Sequence, residues 1–227
     1  MEIFQAALNA FGLGSSSPDE LEKVMEEPLC PELVVQQPEG ITLLIHGRFK
    51  VLQQEDIVEV KSLVDKTHKT LVRIFLSESG KYSAVLLETA YRMPVVILDT
   101  GAAVGPSGPL EGSRHVYLSS AASFTEHCNY EDSYFAIAKP THRNTVLMVK
   151  GGSHGDGQTL LTIHTTPGIG TMSLSDGVGT LVASLEPNRS PYAGEHGEPS
   201  LVLHVRHGAD VALILSAIVA AVKLSSE

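Results

Sequence analysis

Apolar and polar positions along this chain follow one period for most of its length and another at its end. Between residues 33 and 206, short runs rich in Val, Ile, Leu, Thr, Phe and Tyr recur, split by Gly, Pro, Asn and Asp. They cover 33–37, 42–47, 49–53, 57–64, 70–76, 82–89, 94–100, 115–119, 133–139, 145–151, 159–165, 171–175, 180–187 and 200–206. Runs of this length bounded by turn residues read as β-strands. Several alternate, as where Val72, Ile74 and Leu76 stand against Arg73 and Ser77. One-sided strands of that kind belong to antiparallel sheets. No helical period lies between them, which argues against a parallel βαβ architecture. Some runs are expected to merge or fail.

The end of the chain, 208–224, reads GADVALILSAIVAAVKL. From Val211 to Val222 nothing is charged, and Ser216 is the one polar side chain. The run is too long for an ordinary buried strand, and its alanines favour helix. Asp210 and Lys223 suit the positive and negative ends of a helix dipole. Gly208 suits a sharp strand-to-helix corner. At helical spacing Ala209, Ala212, Ser216 and Ala220 share a narrow face, with Ile214, Leu215, Ile218, Val219 and Val222 opposite. A helix apolar all round is a core helix or a membrane span. Spanning takes about 20 residues, so a core helix over 209–224 is expected. A closed barrel of more than about eight strands has interior room for one.

Residues 2–11 can form a short amphipathic helix that clusters Ile3, Phe4, Ala7, Leu8 and Phe11. It either packs on its own domain or serves as a docking peptide for a partner or membrane surface. Ser17, Pro18, Asp19 and Glu20 then make a helix start. The division expected is a helical arm over 1–28 and a β-domain over 29–227.

Composition narrows the function. At 227 residues one domain with a large core is the default. A net charge of −10 argues against a nucleic-acid binder and against strong docking on anionic lipid. Cys30 and Cys128 offer no disulfide framework and suit a reducing compartment. The N-terminus has no basic n-region, so it is not an obvious secretory signal. An intracellular, cytoplasmic protein is expected, with peripheral membrane association as the variant.

Candidate chemistry is sparse. Gly151-Gly152-Ser153-His154-Gly155 matches the spacing of a hydrolase nucleophile elbow. That elbow needs a following helix, and a β-type run follows here instead. A hairpin loop is the expectation. Ten histidines show no metal-ligand spacing, so no metal and no cofactor is expected. His204 and His207, three apart at the end of a strand, should face opposite ways. Lys61, Lys66 and Lys69 form the densest basic patch, with His68; Lys139, His142, Arg143 and Lys150 form a second. These read either as solvated hairpin charges or as a grip on a lipid head group.

Three stretches carry a resemblance: 176–183 (DGVGTLVA), 201–205 (LVLHV) and 208–215 (GADVALIL). Together they resemble the closing strands and Gly-x-Asp central helix of the tubby C-terminal-like fold, and within it the LURP-one-related proteins, with phospholipid scramblases more distant. Val222 departs from the family, whose members tend to carry an acid near that helix end. The resemblance implies a mainly β fold, a closed antiparallel barrel of about twelve strands enclosing the hydrophobic C-terminal helix. It implies no agreed chemistry. The expected function is therefore a non-enzymatic binding or scaffold domain. Ile3, Phe4, Leu8 and Phe11 of the arm would meet a protein partner. The alternative is a lipid-associated protein, phosphoinositide-binding or scramblase-like, with Lys61, Lys66 and Lys69 at the head group.

Overall fold

The computed structural model describes residues 28–46, 57–62, 70–79, 82–89, 95–100, 104–105, 108–109, 114–117, 134–142, 144–150, 158–166, 170–188 and 200–224. The arm expected over 1–28, Pro28 excepted, and the run at 49–53 lie outside these residues. Within them the chain is mainly β, with one C-terminal helix.

The strands are β1 (Ile41–His46), β2 (Ile57–Ser62), β3 (Thr70–Ser79), β4 (Tyr82–Thr89), β5 (Val95–Thr100), β6 (Val104–Gly105), β7 (Gly108–Pro109), β8 (Arg114–Tyr117), β9 (Tyr134–His142), β10 (Thr145–Lys150), β11 (Thr159–Thr166), β12 (Thr171–Asp176), β13 (Leu181–Pro187) and β14 (Ser200–Val205). The helix α1 is Val211–Leu224. Apart from 33–37 and 49–53, each expected run overlaps a strand of the main sheet. The stretch 101–112 contains the small β6–β7 ladder.

Neighbours in the main sheet run β1-β14-β13-β12-β11-β10-β9-β8-β5-β4-β3-β2. Each neighbouring pair is antiparallel. Leu43–Ser62, Leu44–Lys61 and Ile45–Val60 pair β1 with β2, so the order of pairing returns to the strand it began with.

Alternation decides which side of each strand is buried. Met172, Leu174 and Asp176 of β12 are buried, while Thr171, Ser173 and Ser175 between them are half-exposed. Leu201, Leu203 and Val205 of β14 do the same against Val202 and His204. These inner faces and α1 form one apolar cluster. Each fully buried side chain of this size contributes about 1.5–3 kcal/mol.

Every residue of α1 from Val211 to Val222 is at most 1% exposed. The helix packs against β5, β9 and β11. Both the small-residue face and the large-residue face are dry, so they differ in size and not in polarity. Fourteen residues span roughly 21 Å. Among the described residues no helix is long and apolar enough to cross a membrane.

The helix starts at Val211, two residues later than expected. Gly208 has φ 78°, a left-handed conformation that turns the chain from β14 toward α1. The backbone carbonyl of Asp210 accepts the Ile214 N–H at 3.0 Å, the first bond of the helix. Gly40 holds a similar φ of 79°, and a Cβ there would collide with the Val205 carbonyl.

The strand expected over 33–37 is a correction. Residues Pro31–Leu33 form one 3-10 turn, and Val34 makes an isolated antiparallel bridge with Asp210. Val35 N–H donates to the Ala209 carbonyl at 3.0 Å, and Gly208 N–H donates to the Val35 carbonyl at 2.8 Å. Leu33 and Val35 are buried, as their apolar pattern requires. The backbone partners of Val35 belong to the helix-entry corner and not to a neighbouring strand, while the Leu33 N–H donates to the Cys30 carbonyl at 2.9 Å.

Candidate functional site

Three places gather polar groups in positions the fold fixes: the entry to the helix, the turn between β12 and β13, and a row of side chains across the outside of the sheet.

At the helix entry, Asp210 is fully buried. Its Oδ1 accepts the N–H groups of Ala212 (2.8 Å) and Leu213 (3.3 Å). These are two of the donors a helix start leaves without partners. Its Oδ2 accepts the Cys30 N–H at 2.8 Å. Burial pushes this carboxyl above the ordinary carboxylate range, opposed by the N–H donors around it. Cys30 is also buried, and its thiol points to Glu32 Oε2 at 3.4 Å. Burial, the bond to Glu32 and the nearby carboxylates push the thiol up to about 11. It stays protonated at neutral pH and is a poor nucleophile there. The site is a clamp: it ties the segment before the sheet to the helix that ends the fold. Sequence reasoning placed Asp210 at the helix start through its charge. It missed the cap geometry and Cys30, although Leu29 and Leu33 around Cys30 signalled burial.

In the β12–β13 turn, Asp176 Oδ1 accepts N–H groups from Val178 (3.0 Å) and Thr180 (2.7 Å). The Asp176 N–H also donates to the Thr180 carbonyl at 2.8 Å. The side chain thus closes the turn on itself, as Asp does in tight connections. Val178 at the tip is 85% exposed. Asp176 Oδ2 is buried and has no hydrogen-bond partner among the described residues.

On the outside of the sheet, the register aligns Thr42, His204, Ser184, Ser173, His164 and Thr145 across β1, β14, β13, β12, β11 and β10. Thr42 Oγ1 and His204 Nδ1 are 3.1 Å apart, as are Thr145 Oγ1 and His164 Nδ1. His204 Nε2 lies 3.6 Å from Glu186 Oε1. His204 is therefore a cross-strand partner on the outer face, and His207 lies beyond the end of β14 in the turn.

Of the residues expected at a lipid head group, Lys61 sits half-buried on β2, opposite Leu44 of β1 and Thr70 of β3. Lys66 and Lys69 lie outside the described residues, as do Ile3, Phe4, Leu8 and Phe11 of the expected partner contact. The second basic patch divides between β9 (Lys139, His142) and the end of β10 (Lys150). Neither strand neighbours β2. Ser153 also lies outside the described residues. The elements that flank it, β10 and β11, pair antiparallel, and Lys150 N–H donates to the Gln158 carbonyl at 2.8 Å. Among the described residues, no group of three or more His, Cys, Asp or Glu side chains could hold a metal ion.

No protein-family model matches this chain, and no curated protein matches it. Among solved structures, a protein from Arabidopsis thaliana is similar over 85% of this chain and 94% of its own, with a TM-score of 0.55 and 14% identity. A putative outer membrane lipoprotein-sorting protein domain from Vibrio parahaemolyticus aligns over 80% of this chain and 90% of its own, but with a TM-score of only 0.22 and 10% identity. The first likeness is one of fold. At so low a TM-score the second carries no argument.

Proposed function

We propose that this chain is a non-enzymatic binding or scaffold domain built on a closed barrel of the tubby-like, LURP-one-related type. The observation that carries the reading is the fully buried stretch of α1 from Val211 to Val222. The space where a β-barrel of this size would hold a ligand is filled by the protein's own helix. On this reading the work of the domain falls to the arm 1–27 and to the stretches 101–112, 151–157 and 187–199. The barrel reading is supported by the pairing order that returns to β1, and by the Gly208-Ala209-Asp210 corner that starts the helix.

The arm would meet a protein partner by laying Ile3, Phe4, Leu8 and Phe11 into an apolar groove, as amphipathic helices do. The test is co-purification of the full chain and of a chain lacking residues 1–27. Loss of partners with the arm supports the reading. An unchanged set of partners overturns the arm's part in it.

A second reading is a lipid-associated role, in head-group binding or scrambling. Lys61, half-buried on β2, favours it, because this strand leads into the segment that carries Lys66 and Lys69. Co-sedimentation with phosphoinositide-containing vesicles at low salt separates the two readings. Binding lost in a Lys61→Ala, Lys66→Ala, Lys69→Ala variant supports the lipid role, and no binding at low salt ends it.

A further inference from the structure

We draw no further inference here: the strongest candidate, the row of Thr42, His204, Ser184, Ser173, His164 and Thr145 across the outer face of six strands, is a polar sheet face, and nothing in the structure shows what covers it.

Discussion

Asp210 and Cys30 stand 180 residues apart in the chain, yet the Asp210 carboxylate accepts the Cys30 backbone N–H at 2.8 Å in a buried site. The same side chain caps α1 through Ala212 and Leu213. One residue thus holds the first described segment and the last helix together. Replacing Asp210 with Ala removes a helix cap and leaves the Cys30 N–H buried without a partner. The expected loss is on the order of 2–4 kcal/mol, read from the urea midpoint. In Asp210→Asn one oxygen can still cap the helix, while the amide nitrogen faces a donor. That variant should fall between wild type and Asp210→Ala. Wild-type stability in both would remove the clamp from the account of this fold.

The clamp also sets a pH dependence. Burial raises the Asp210 carboxyl above its ordinary value of 3.8. The folded state therefore keeps this proton at pH values where the unfolded chain has lost it. The stability tied to this group is fully present below the unfolded value and is lost as pH rises through the folded one. Other carboxylates titrate in the same range, so the quantity to measure is the difference between wild type and Asp210→Asn. That difference should shift against wild type as pH rises from about 3.8, then level off. A flat difference would mean that the N–H donors fully offset burial.

Two substitutions in α1 test how dry the interior is. Ile214 is at most 1% exposed, and Ile214→Asp places a lone charge there. Such a charge costs several kcal/mol or more, against a total stability of about 5–15 kcal/mol for ordinary domains. Circular dichroism should show no cooperative melt. Ser216 tests the reverse case. Its hydroxyl is buried without a hydrogen-bond partner among the described residues. Ser216→Ala should be neutral or stabilise the fold by up to about 1 kcal/mol. A loss of more than that in a urea titration would reveal a bond made by the hydroxyl.

Cys30 should be chemically silent in the folded protein. Its thiol is buried and pushed up to about 11, so almost no thiolate is present at neutral pH. Iodoacetamide labelling followed by peptide mass spectrometry should show Cys30 unmodified in buffer and fully modified in urea. Rapid native labelling of Cys30 would show that the 28–35 segment opens readily from the helix entry.

What could be read without coordinates was local. The alternation in β12, with Met172 and Leu174 against Ser173 and Ser175, fixes two faces by the period of a strand alone. The run expected over 82–89 coincides with β4, Tyr82–Thr89. The apolar run from Val211 to Val222 is too long for a strand and too short for a membrane span. Its length and its lack of charge announced a buried helix.

The remainder needed distant partners. Residues 33–37 carry a strand's apolar pattern, yet Val35 bonds to Gly208 and Ala209, which no local window connects to it. The same holds for the meeting of His204 with Thr42, for the return of β2 to β1, and for the Cys30–Asp210 bond. The apolar period along the chain determined which residues turn inward and, 33–37 excepted, which described segments are strand or helix, because both follow from neighbours a few positions away. Only the tertiary structure decided which strand lies beside which, and which backbone N–H meets the buried carboxylate. Those choices are made in space, by filling the interior around one helix and by finding partners for buried backbone groups such as the Cys30 N–H.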